Sequence, residues 1–251
     1  PADFFETGHV YTNAVTVSGG TDKNQTYFSA ASVNSDGIIP NNEYDRYNFT
    51  FRNTSYFLKD KLRLDASASY IYQKDQNMTN QGVYSNPLVP AYLFPRGDDF
   101  DNVRLYQRWD ESRNLYTQAW DYGSGDMSFQ NPYWIMNKMI NQTKKRRYML
   151  SANLKYDVTD WLDVTGRVKV DNADMDITEK RYAGTDTNFA GEKGMYSIIK
   201  RNDRQIYADA IANIDLTFAG DYHLSANVGA SLKDVRMDFM GWGGDLRKIP
   251  N

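Results

Sequence analysis

Strict two-residue alternation of apolar and polar side chains, sustained over runs longer than an ordinary strand, constrains this chain more than any other feature. Tyr148, Leu150, Ala152, Leu154 and Tyr156 alternate with Arg147, Met149, Ser151, Asn153, Lys155 and Asp157. That period places the two sets on opposite faces of a β-strand. The same pattern recurs from Leu162 to Val170, Ile206 to Phe218, Tyr222 to Leu232 and Leu62 to Tyr72, more briefly through Tyr47, Phe49 and Phe51, and weakly over residues 10–18 and 25–33. Eight strands are therefore predicted. Past Leu232 the pattern slips, since Val235, Met237 and Phe239 continue on the other parity. A bulge near Lys233 or Asp234 would produce that slip.

The predicted connections alternate between short and long. Residues 19–24, 58–61, 157–160 and 219–220 are short, whereas residues 34–43, 74–143 and 179–193 are long, the segment 74–143 most of all. If neighbouring strands are antiparallel, every short turn falls at one end of the sheet and every long loop at the other. This is the asymmetry of outer-membrane barrels, with short periplasmic turns and long extracellular loops. Soluble sandwiches and small soluble barrels also alternate, but their strands average about 5–6 residues. Here the apolar faces run far enough to cover most of a roughly 25 Å lipid band at barrel tilt. Tyr72, Tyr148, Tyr156 and Tyr222 close several of those faces, at the depth that amphipathic rings favour.

The expected fold is thus all-β: an antiparallel transmembrane β-barrel wall with lipid on its apolar face and a watery lumen on the other. Eight strands also match a complete small barrel. A soluble or surface-anchored β-rich glycan-binding or adhesin domain stands as the alternative from a different functional class.

Composition narrows the function. The net charge of −3 over 251 residues gives no reason to expect a nucleic-acid partner, and the absence of Cys removes thiol chemistry and cysteine-held metals. No apolar run is long enough for a helical membrane span. No catalytic constellation is found. His9 and His223 lack a metal-site spacing, the Asp98, Asp99, Asp101 and Asp171, Asp174, Asp176 groups lack a full calcium-loop pattern, and Gly123-Ser124-Gly125 has no following helix to make a phosphate cradle. No enzyme activity, cofactor or metal is expected; a glycosidase would need a carboxylate pair across a cleft.

The long loop is the most informative stretch for function. It is rich in aromatics and holds Arg108, Trp109, Arg113, Trp120, Tyr122, Tyr133 and Trp134, residues suited to contact a sugar, a peptide or a covering partner. The competing reading is that a loop this long uses its aromatics as its own small core. Spacing of Val103, Tyr106, Trp109, Arg113 and Tyr116 predicts a helix over 102–120. Lys144, Lys145, Arg146 and Arg147, where the chain re-enters the sheet, are candidates for lipopolysaccharide phosphates or else a solvated rim.

Several segments resemble the barrel of SusC/RagA-type TonB-dependent outer-membrane transporters. These are Asp3-Phe4-Phe5-Glu6-Thr7-Gly8, the series Asn13 to Phe28 containing Ser18-Gly19-Gly20-Thr21-Asp22, Asp36-Gly37-Ile38-Ile39-Pro40 with Arg46-Tyr47-Asn48, and Gln130-Asn131-Pro132-Tyr133-Trp134. The resemblance implies a 22-stranded barrel enclosing a plug, a SusD-like surface lipoprotein as lid, the TonB complex as energy source, and an oligosaccharide or peptide as cargo in outer-membrane lipid. On that reading residues 1–251 are a partial wall carrying the extracellular loop 74–143. The plug, signal peptide and barrel C-terminus are expected to lie in a longer secreted protein.

Overall fold

The computed structural model describes residues 2–122 and 130–251. Eight strands form one antiparallel sheet: β1 (His9–Thr21), β2 (Asn24–Asp36), β3 (Glu43–Phe57), β4 (Leu62–Gln76), β7 (Met139–Thr159), β8 (Leu162–Arg181), β9 (Met195–Phe218) and β10 (Tyr222–Asp245). Their spatial order is their chain order, and each pairs antiparallel with the next. Between β4 and β7 the chain leaves the sheet to build α1 (Leu88–Leu93), α2 (Asp101–Arg104), a small hairpin of β5 (Gln107–Asp110) and β6 (Leu115–Gln118), and α3 (Pro132–Lys138). Short turns lie at one end of the sheet. At the other end lie residues 37–42, the insertion 77–138 and residues 182–194, as the alternation of loop lengths predicts.

Two expectations are corrected. Residues 102–120 do not form one helix: after the single turn of α2 the chain reverses through β5 and β6. The reversal is built by turn chemistry, with Asp110 Oδ1 accepting from Ser112 Oγ at 2.6 Å and from the Arg113 N–H at 3.2 Å, and Asn114 at φ 51°. Nor is there a bulge near Lys233. β10 pairs with β9 without a break from Tyr222↔Phe218 to Asp245↔Met195, and Asp234, Arg236 and Asp238 continue the face of Leu232. The apolar set changes face there because polar residues replace apolar ones along an unbroken strand. The register shift that does occur lies between Asp157 and Thr159, at the turn into β8.

The buried core is not in the sheet. Phe4, Ile39, Ala91, Phe94, Phe100, Val103, Trp134, Ile135, Met136 and Met139 form one cluster at the long-loop end, drawn from the chain start, the β2–β3 connection, the insertion and the foot of β7. The sheet's own apolar side chains, among them Val15, Phe51, Leu150, Leu154, Val168, Leu224 and Val228, remain exposed. A soluble antiparallel sheet buries one face against something; this one leaves its apolar face open, a patch far beyond what soluble monomers expose.

Candidate functional site

Register assigns every sheet residue to one of two faces. Opposite partners in an antiparallel ladder share a face, so Phe49, Tyr70, Tyr148 and the residues in step with them belong together. One face carries the continuous apolar band and the other carries the polar set.

The band's upper edge, toward the long loops, lies at Tyr47 on β3, Tyr72 on β4, Tyr148 on β7, Val170 on β8, Ile206 on β9 and Leu232 on β10; the next band-face residue on each strand is polar. That edge is not perpendicular to the strands. Leu232 is in step with Ala208, Val168, Ala152, Ala66 and finally Asn53, six residues from Tyr47 along β3. Six residues rise about 20 Å while five strand-to-strand steps cover about 24 Å, so the strands cross the band at about 40°. Transmembrane barrel strands tilt by about 35–45°. At that tilt the run Leu62–Tyr72 spans about 25 Å, the height of a barrel's lipid band.

Aromatic rings mark both edges. Tyr47 and Tyr72 sit side by side with ring centroids 6.3 Å apart at the upper edge, where Tyr148 lies directly opposite Tyr70. At the short-turn edge Phe218 stacks on Tyr222 at 5.7 Å, and Tyr156 pairs with Leu62. All four tyrosines expected at the membrane interface therefore occupy the band face at its margins.

The polar face is cross-linked by ion pairs. Arg147 Nε donates to Asp171 at 2.8 Å, Arg167 Nε to Asp209 at 2.9 Å, and Arg201 Nε to Asp203 at 2.9 Å. Near its upper part Lys145, Arg147, Asp171, Val235 and Met237 line a groove of about 310 Å³. By register, an odd number of residues out of step with Tyr148, Lys145 and Arg147 face away from the apolar band. Of the basic run, only Lys144 and Arg146 lie on the band face, and Arg146 bonds to Asp176 at 2.8 Å. This corrects the assignment of all four residues to lipopolysaccharide, because alternation sends adjacent residues to opposite faces.

The insertion residues also divide. Trp134 is 1% exposed and its Nε1 donates to Thr185 Oγ1 at 3.0 Å, so its indole is core and closed to any ligand. Tyr133 packs edge-on against buried Phe4 at 5.2 Å, and its hydroxyl donates to the Asp3 carbonyl. Burial pushes that phenol's pKa up. Trp120 and Tyr122 pack edge-to-face at 5.2 Å, and Tyr122 meets Phe94 at 4.7 Å. Burial, then the charge of Asp98, raises the Tyr122 pKa. Trp109 stands apart. It is 50% exposed on the hairpin, edge-on to Tyr116, with Arg108 beside it reaching Asp121 at 3.4 Å. Arg113 hydrogen-bonds the Glu192 carbonyl and ties the hairpin to the β8–β9 connection. Gly123-Ser124-Gly125 and Phe129 lie outside the described residues.

Sequence reasoning missed the residue that organises the insertion. Asn131 is fully buried; its Oδ1 accepts from the N–H groups of Tyr133 and Trp134, while its Nδ2 donates to the carbonyls of Val103 at 2.7 Å and Ala119 at 3.0 Å. The signal was present, since Asn followed by Pro is a helix N-cap with proline at the first position. Metal-ligand groups of three or more His, Cys, Asp or Glu side chains do not occur among the described residues.

No family model and no curated protein matches this chain. The structure of the RagAB peptide transporter matches with a TM-score of 0.69 and 14% identity, over 95% of this chain and 26% of that one. This is the fold of a transporter barrel wall. The RagAB peptide importer in its closed-closed state matches equally, with a TM-score of 0.69 and 15% identity over 96% of this chain and 26% of that one. The chain spans about a quarter of the RagAB chain it matches. Its open eight-stranded sheet is the counterpart of part of that barrel.

Proposed function

We propose that the chain is a section of the wall of a TonB-dependent outer-membrane importer of the SusC/RagA kind, not an enzyme. In this reading the apolar band meets outer-membrane lipid and the polar face lines the passage. The long-loop end opens outward, where the insertion 77–138 contacts a SusD-like lipoprotein lid or the incoming oligosaccharide or peptide. Energy comes from the TonB complex acting on parts of the protein other than this wall. The observation that carries the reading is the uncovered apolar band, crossed by strands at about 40° and edged with tyrosine. Likeness to the RagAB transporter fold supports it.

Within the insertion, exposed Trp109 with Arg108 is the surface best placed to meet cargo or lid, since Trp134 is enclosed. Detergent dependence tests the wall. The full-length protein should require detergent or lipid to remain monodisperse; a monodisperse monomer in plain buffer would instead support a soluble glycan-binding or adhesin domain. Uptake of labelled peptides and oligosaccharides by cells with and without the protein then identifies the cargo.

A further inference from the structure

Charge on the band face is sorted by height above the apolar band. On β4 the first residue past Tyr72 is Lys74; on β7 Arg146 and then Lys144 follow Tyr148; on β9 Arg204 follows Ile206; on β10 Asp234 and then Arg236 follow Leu232. On β8 the corresponding positions hold Asn172 and Asp174. Across these five strands the first two positions beyond the band therefore carry five cations and two carboxylates, while Asp176, Lys200 and Asp238 stand one step further out.

The cations are also set against one another. Lys74 is directly opposite Lys144, and Arg204 is directly opposite Arg236. Like charges facing each other on one side of a sheet destabilise it unless something anionic lies between them. Glu43 reaches Lys74 at 3.1 Å and Asp234 reaches Arg236 at 3.2 Å; Asp176 lies directly opposite Lys144 but its carboxylate is taken by Arg146, so neither Lys144 nor Arg204 has an ion-pair partner among the described residues.

We infer that this face binds the phosphate groups of an anionic lipid headgroup in the leaflet at the long-loop end. The inference rests on the membrane-wall reading above and adds a ligand to it. A headgroup phosphate lies just outside the hydrocarbon, at the level of these first two positions, and a guanidinium can grip it through paired N–H donors. The site crosses five strands, so no contiguous stretch of sequence displays it. The run 144–147 contributes only Lys144 and Arg146.

The test uses the native full-length protein, purified in detergent and exchanged into phosphatidylcholine nanodiscs carrying a small fraction of phosphorylated or dephosphorylated lipid A. Native mass spectrometry counts the retained lipid A. The parent protein should prefer the phosphorylated form. Lys74→Gln/Lys144→Gln/Arg204→Gln should lower its retention on the order of a hundredfold, at about fivefold per basic residue lost. Lys145→Gln/Lys169→Gln, on the other face, should leave retention unchanged. If the triple variant does not fold, the half-buried single variant Arg204→Gln is read instead, with a loss of about fivefold. Equal retention of the two lipids overturns the inference, as does undiminished retention by the rim variant that is read, or an equal loss from the control. Inorganic phosphate displacing the lipid at matched concentration would show a free-anion site and also overturn it. A detergent-dependent protein without phosphate preference removes this inference alone; a soluble monomer removes the wall reading itself.

Discussion

Trp134 and Thr185 are joined by a hydrogen bond of 3.0 Å from the indole Nε1 to the hydroxyl, with both residues buried. This contact fastens the insertion to the β8–β9 connection, 51 residues further along the chain. Trp134→Phe should cost the insertion about 1–2 kcal/mol through the lost hydrogen bond. Trp134→Ala should cost about 3–5 kcal/mol through the cavity it leaves. The loss is local, so hydrogen exchange over residues 77–138 should rise while that of β7 to β10 stays the same.

Asn131 is a second fixed point. Asn131→Ala removes the cap of α3 and leaves the carbonyls of Val103 and Ala119 without their donor. About 2–4 kcal/mol of local stability should go with it, more than the roughly 1 kcal/mol typical of an exposed cap. Limited proteolysis reads the effect, and Asn131→Asp, which keeps the cap acceptor but turns a second oxygen toward the Val103 and Ala119 carbonyls in a fully buried site, should cost at least as much as Asn131→Ala.

The two-faced sheet predicts opposite outcomes for adjacent residues. Val228 lies within the apolar band and Asn227 on the polar face. Val228→Arg should destabilise the full-length barrel in lipid by about 2–4 kcal/mol, whereas Asn227→Arg should be close to neutral. Denaturant unfolding in bilayers measures both, and equal costs would contradict the face assignment.

Asp110 makes the hairpin turn sensitive to acid. The Ser112 hydroxyl and then the backbone N–H groups of Arg113 and Ser112 favour its carboxylate, holding its pKa below the usual value. A depressed folded pKa adds stability that is complete above the unfolded value, near pH 4, and is lost as pH falls through the folded value. Ser112→Ala should bring the Asp110 titration back toward pH 4, as followed by carboxyl-resolved NMR.

How far the sequence could be read depended on what each segment packs against. Within the apolar band alternation suffices, because one face of every strand there is apolar and the other polar; β4, β7, β8, β9 and β10 are plain to see there. Above the band the pattern changes face, so β10 runs on unbroken past Leu232, where a bulge was expected. The insertion was least legible because its core is assembled from distant residues. Phe4, Ile39 and Trp134 meet only in the folded chain, and no local period encodes that meeting. Val103, Tyr106 and Trp109 fit a helical spacing by coincidence, while Asp110, Ser112 and Asn114 specified a reversal.

The length of β9 has a consequence for the proposed wall. The strand runs from Met195 to Phe218, but its part on the apolar band begins only at Ile206. The eleven residues before it, at the tilt set by the register, raise the sheet roughly 28 Å beyond the band. With the band in lipid, this side of the passage would stand well clear of the membrane. A solute would pass along its polar face before reaching the depth of the lipid, and a phage or antibody approaching from outside would meet the flank of a sheet before it met the membrane.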